Sequence, residues 1–164
     1  MLKTHPKLGV TVRKRPESDS GSGYRVRVSV ARVLVVDDFA GFRYAICSML
    51  RDHPCLLVIA EASDGLEAVR KAEELQPDLI VLDLMMPKLN GLEATRRIRT
   101  VSPKSKIIIA SLESSAEFVQ EALRSGAAGY VIKTKIANHL LSAIEAVLQG
   151  KCWFAAAVNP IRKR

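Results

Sequence analysis

Residues 79–93 read Leu79-Ile80-Val81-Leu82-Asp83-Leu84-Met85-Met86-Pro87-Lys88-Leu89-Asn90-Gly91-Leu92-Glu93. Four apolar residues end at an acid, and a turn rich in Pro, Asn and Gly follows. An unbroken apolar run of this length fits a strand buried on both faces, as in a parallel sheet. Asp83 then sits at the carboxyl end of that strand, where open α/β sheets place their chemistry. Taken alone, Asp83 also fits a simple turn cap, so the rest of the chain has to decide.

The same unit recurs on both sides. Val33-Leu34-Val35-Val36 is an apolar strand ended by Asp37-Asp38, and a helix from Phe39 to Arg51 carries Phe42, Ile46, Met49 and Leu50 on one face. Leu56–Ala60 is a second strand. Asp64 to Leu75 is a helix opened by Asp64-x-x-Glu67, a capping-box pattern. After the strand ending at Asp83 come a helix over 92–99, a strand over 106–110, and a helix opened by Ser114-x-x-Glu117 and closed by Gly126. Gly129–Ile132 is the fifth strand. The last helix, about 136–149, repeats apolar residues with the 3.6 period and ends at Gly150.

Five β-α units in about 120 residues predict an α/β, doubly wound parallel sheet with helices on both faces. The flavodoxin-like (βα)5 order 2-1-3-4-5 follows. It sets the ends of the first and third strands side by side, so Asp37, Asp38 and Asp83 converge on one crevice. Three carboxylates so close repel one another unless a cation sits among them. Mg²⁺ suits a site with one or two direct carboxylates, a backbone carbonyl and waters. Asp38 and Asp83 are candidate direct ligands, Asp37 acts directly or through water, and the Met85 carbonyl is a further candidate. Lys133 and Ser111 end the fifth and fourth strands and face the same crevice. Acids, a cation, a lysine and a hydroxyl suggest a phosphoryl group carried on Asp83 as an aspartyl phosphate.

The 164-residue chain has a net charge of +8. Residues 1–30 hold +5 of it and residues 151–164 hold +4, which leaves −1 for 31–150. The basic character belongs to the ends, so the predicted organisation is a basic flexible extension (1–30), a globular domain (31–150) and a basic tail (151–164). Within the extension, Tyr24–Val28 alternates and suggests an added edge strand. Cys47, Cys55 and Cys152 form no CxxC pair, and no apolar run approaches the length of a membrane span. Free thiols, no membrane and a cytoplasmic location are the expectation.

Several spaced motifs match one family in order: Val35-Val36-Asp37-Asp38, Glu61-Ala62-Ser63-Asp64-Gly65, Pro77-Asp78-Leu79, Leu82–Pro87, Asn90–Glu93, Ser111 and Gly126–Lys133. Over about residues 31–150 the chain resembles the receiver domain of two-component response regulators, with the texture of the NarL/LuxR branch. The resemblance implies Asp83 as phosphoacceptor, Asp37 and Asp38 as the Mg²⁺ site, Ser111 and Lys133 as phosphate ligands, and Tyr130 as an aromatic that turns inward on activation. It implies a histidine kinase as phosphodonor, a downstream protein partner, and a homodimer through the fourth helix, fifth strand and fifth helix or through the first and fifth helices. It implies a signalling module rather than an enzyme. Residues Met85 and Glu113, two beyond Asp83 and Ser111, would flank the water that hydrolyses the phosphate. Three features depart from the pattern, the first being the basic leader over residues 1–30, which is not part of it. Thr134 follows Lys133 where the family often has Pro, and a cis bond there would cost roughly 2.5–4 kcal/mol instead of about 0.5–1. Only 14 residues follow Gly150, too few for a helix-turn-helix output domain.

Competing chemistries fit less well. A haloacid-dehalogenase-type phosphatase needs D-x-D after its first strand, but Phe39 and Met85 stand two beyond Asp37 and Asp83. A flavodoxin needs a hydroxyl-rich phosphate loop where this chain has Asp-Asp-Phe-Ala-Gly. DNA binding through the basic ends would be non-specific and steeply weakened by salt.

Overall fold

The computed structural model describes residues 10–12 and 26–154. Its centre is a parallel sheet. In chain order the elements are β1 (Val10–Val12), β2 (Val26–Val28), β3 (Ala31–Val36), α1 (Ala40–Arg51), β4 (Leu56–Ala62), α2 (Gly65–Leu75) and β5 (Leu79–Asp83). They continue with α3 (Gly91–Val101), β6 (Lys106–Ser111), α4 (Ala116–Ser125), β7 (Gly129–Ile132), a 3-10 turn (Lys133–Lys135), α5 (Ile136–Leu148) and β8 (Trp153–Phe154).

The main sheet runs β4-β3-β5-β6-β7-β8, all parallel. Counted from its own first strand, this is the expected 2-1-3-4-5 flavodoxin-like order with a sixth strand added. Strand alternation divides the core into two layers. Leu34, Val36, Ile80, Leu82, Ile107, Ile109 and Tyr130 face α2, α3 and α4, where Ala68, Ala72, Ala94, Ile98 and Val119 meet them. Val33, Val35, Leu79, Val81, Ile108 and Val131 face Ile46 and Leu50 of α1 and Leu140, Ile144 and Val147 of α5. Every residue of β5 is buried, as its unbroken apolar run requires.

Three local expectations need correction. The sixth strand lies inside the segment read as a tail. Trp153 packs against the α5 side of the sheet and Phe154 against the α4 side, and the Trp153 ring meets His139 edge-on at 5.3 Å. The alternating segment near Val26 pairs antiparallel with β1 in a separate two-stranded sheet, not with the main sheet. The α4 cap is Ser115, without a side-chain cap hydrogen bond, in place of Ser114. The Asp64 cap does form: Asp64 Oδ1 accepts from Glu67 N at 2.9 Å, and Glu67 Oε2 accepts from Ser63 N at 2.8 Å. No peptide bond among the described residues is cis, so the chain passes Lys133–Thr134 in trans and enters the 3-10 turn. The expected flexibility of 1–30 and the basic end of the chain concern residues that mostly lie outside those described.

Candidate functional site: an acidic cleft at the strand ends

Strand register assembles the site. Val36 pairs with Leu82, Asp83 with Ala110, and Ser111 with Ile132. Asp37 follows β3 directly, Asp83 and Ser111 end β5 and β6, and Lys133 follows β7. Four functional side chains thus rise from four adjacent strand ends. Together with Asp38, Phe39, Phe42, Met85, Leu112 and Glu113, the side chains of Asp83, Ser111 and Lys133 line an open cleft of about 340 Å³.

Asp37 and Asp83 are buried and Asp38 is exposed, yet carboxylate oxygens of all three lie within 4.8 Å of one another. Lys133 answers two of them. Its Nζ is 2.7 Å from Asp37 Oδ2 and 3.1 Å from Asp83 Oδ1, and it lies 4.6 Å from the centroid of the Phe42 ring. Asp37 Oδ1 accepts from Phe39 N at 2.9 Å, whereas the buried Oδ2 accepts no aligned hydrogen bond among the described residues. Burial pushes the Asp83 carboxyl above its ordinary range. Lys133 pulls the other way by charge and by hydrogen bond, Asp37 raises it, and the Met85 amide, donating to it, lowers it.

This donor set fits a small hard cation. It offers three carboxylates in one place, one of them solvent-facing. Met85 lines the same cleft and is 62% exposed.

Ser111 is buried at the floor and its Oγ accepts from Glu113 N at 3.1 Å. Tyr130, expected to turn inward on activation, is already fully buried here, and its hydroxyl donates to Glu113 O at 2.9 Å. The loop after β6 is therefore tied at Glu113 to both Ser111 and Tyr130.

The structure thus places Asp37, Asp38, Asp83, Ser111, Lys133, Met85 and Glu113 together at the strand ends, with Tyr130 tied to them through Glu113. Others escaped the reading of the sequence. Phe42 sits on the apolar face of α1, so it reads as core, although its ring supports the ammonium. Arg43 donates to the Asp37 carbonyl at 2.7 Å and to Glu61 Oε2 at 2.9 Å, fixing the end of β3.

The fold and cleft define a flavodoxin-like domain with an acidic site at its strand ends, and comparison with known proteins makes the family explicit. Residues 33–145 match the response regulator receiver domain, and the chain belongs to that family. It is 34% identical over 135 residues to the transcriptional regulatory protein DegU of Brevibacillus brevis, covering 82% of this chain and 57% of that protein. It is 37% identical over 114 residues to the chemotaxis protein CheY of Listeria monocytogenes, covering 70% of this chain and 95% of that one. The crystal structure of a LuxR-family two-component response regulator from Aurantimonas is similar, with a TM-score of 0.73 and 38% identity, covering 76% of this chain and 89% of that one. The chain thus spans 57% of DegU, and 61% of the Escherichia coli nitrate/nitrite response regulator NarL, which is 35% identical over 131 residues, 80% of this chain. Receiver domains are in general signalling modules with an acidic pocket that binds Mg²⁺. No helix among the described residues is long and apolar enough to cross a membrane.

Proposed function

We propose that residues 31–150 form a phosphorylation-dependent switch in which Asp83 accepts a phosphoryl group from a partner histidine kinase. The observation that carries this reading is the placement of Lys133 Nζ 3.1 Å from Asp83 Oδ1 and 2.7 Å from Asp37 Oδ2, in a cleft shared with Asp38 and Ser111. An Asp83 oxygen attacks phosphorus, the P–N bond of the donor phosphohistidine breaks, and its electron pair returns to the imidazole. Lys133 neutralises a phosphoryl oxygen during transfer, and the Ser111 hydroxyl donates to another. Asp37, Asp38 and Asp83, with the Met85 carbonyl, would hold Mg²⁺, which supplies further charge neutralisation.

The product adds roughly 1.5 to 2 negative charges and new acceptor oxygens. Drawing Ser111 toward them breaks its contact with Glu113 N and disturbs the loop that also holds Tyr130. That is the route from phosphorylation to the α4, β7 and α5 surface, where a second copy of the chain or a downstream protein would bind, in a cytoplasmic setting.

The test is incubation with acetyl phosphate and Mg²⁺ followed by intact-mass measurement. Wild type gains one phosphoryl group and Asp83→Asn gains none. Equal uptake by the variant would remove Asp83 from the role.

A further inference from the structure

The loop leaving Asp83 is held from two sides. On one side, Gly91 N donates to Leu84 O at 2.8 Å, and a Cβ on Gly91 would overlap the Asp83 carbonyl oxygen. On the other, the first turn of α2 presses so closely that a Cβ on Gly65 would overlap the Leu89 carbonyl oxygen.

At the loop's tip, Lys88 adopts φ +65°. This left-handed conformation is uncommon for lysine and persists where the surroundings over-determine it. The Lys88 ammonium reaches Asp64 Oδ2 at 2.6 Å, with the Asp64 side chain only 9% exposed and the Lys88 side chain 62% exposed. The acid is the anchored partner, because its other oxygen caps α2. The Asp64 carboxyl is held below its ordinary range first by the Lys88 hydrogen bond and then by the Glu67 amide. Three residues before Lys88, the same loop carries Met85, whose amide donates to Asp83. One ion pair thus joins a helix end to the segment that frames the cleft.

We propose that Lys88 is a positioning residue: its ion pair with Asp64 fixes the loop between β5 and α3 and so sets the cleft's affinity for a divalent cation. This rests on the reading of Asp83 as a phosphoacceptor beside a cation site. Lys88 touches none of the reacting atoms. An ordinary exposed ion pair would have no such effect. Here one partner is buried and capping, and the other sits at a left-handed backbone position.

Two variants of the full chain isolate the charge. Lys88→Met keeps the side-chain stem and the backbone cost, and Lys88→Arg keeps the cation. Mn²⁺ binding followed by electron paramagnetic resonance serves as the metal probe, and amide exchange of residues 84–90 is measured without metal. Lys88→Met is expected to weaken Mn²⁺ binding about two- to fivefold and to speed exchange by a similar factor. Lys88→Arg restores both. Added salt moves wild type toward Lys88→Met, and phosphorylation at saturating Mg²⁺ stays complete in all three. Lys88→Met indistinguishable from wild type in Mn²⁺ affinity and exchange would overturn the proposal, and so would failure of Lys88→Arg to restore them. If wild type takes up no phosphoryl group, the Asp83 reading fails, while metal-free exchange still decides whether the ion pair holds the loop.

Discussion

Lys133 and Asp37 form a buried ion pair in the cleft, with Nζ 2.7 Å from Oδ2 and the two side chains 6% and 1% exposed. The same ammonium lies 3.1 Å from Asp83, so one cation balances both buried acids. Removing one partner of a buried pair leaves an uncompensated charge and costs about 3–5 kcal/mol. Lys133→Met is expected to lose stability of that order in urea denaturation at neutral pH. The loss shrinks on addition of Mg²⁺. A variant as stable as wild type at neutral pH would contradict this account of the cleft.

Two acids give stability opposite pH dependences. The Asp64 carboxyl is held below its ordinary 3.8, first by Lys88. Its contribution is therefore fully present above that value and is lost as pH falls through the depressed folded value. Asp83 is raised above 3.8, foremost by burial. Its cost therefore accrues as pH rises from 3.8 through the folded value, is full above it, and is absent below 3.8. Asp64→Asn, which can still cap α2, should flatten the acid limb of the stability profile. Asp83→Asn should stabilise the fold at neutral pH, because Lys133 keeps Asp37 as its partner. Urea midpoints across the acid range check both signs, and a destabilised Asp83→Asn would show that its charge is better compensated than this reasoning holds.

Gly65 has a packing role that predicts a local cost. A Cβ there meets the Leu89 carbonyl oxygen, which is backbone and gives way only if the loop shifts. Overpacking of this kind costs about 1–3 kcal/mol. Gly65→Ala should lose that much stability and speed amide exchange in residues 84–90, even though alanine is the better helix former. A gain in stability would mean that the loop yields freely.

The parallel sheet was legible because each of its first five strands is a compact apolar run, and three acids end two of them. The cleft was legible for the same reason, since strand order alone brings Asp37, Asp83, Ser111 and Lys133 together. Features set by tertiary contact were not. Trp153 and Phe154 become a strand only through pairing with Gly129 and Tyr130, and two residues carry no periodicity. The adjacent Ser114 and Ser115 leave the cap of α4 ambiguous by one position. In Pro87-Lys88-Leu89-Asn90-Gly91, turn chemistry favours Asn or Gly for positive φ. Yet Asn90 is spent capping α3 at φ −69°, Gly91 lies inside the helix, and Lys88 takes φ +65°. Gln76 similarly ends α2 at φ 46°, held by side-chain hydrogen bonds to Ala72 O, Glu73 O and Val101 O.

The sixth strand should matter for stability. Trp153 is half-buried against α5, with its ring on His139. Full truncation of a core aromatic costs about 3–5 kcal/mol, so Trp153→Ala should cost about half of that. Because Trp153 is the sole tryptophan of the chain, its fluorescence reports local opening of β8 directly. Trp153→Phe, which keeps an aromatic ring against α5, should recover most of the loss. No change in urea midpoint for Trp153→Ala would show that β8 is only loosely attached.

The lifetime of the phosphorylated state should depend on Met85. Hydrolysis needs a water in line with phosphorus, on the side away from Asp83. Met85 and Glu113, both exposed, line the cleft with Asp83. Glu113 can accept a hydrogen bond from that water and orient it. Met85 offers only a weakly accepting thioether, and its flexible apolar chain can cover the phosphoryl group. Mispositioning an attacking group costs up to about two orders of magnitude in rate. Met85→Asn, which presents an amide to the water, should shorten the phosphorylated lifetime severalfold while leaving Mn²⁺ affinity unchanged, because the backbone carbonyl stays in place. The decay of intact phosphorylated protein after removal of the donor, followed by mass spectrometry, measures it. A variant lifetime equal to or longer than that of wild type would show that Met85 does not control the access of water to phosphorus.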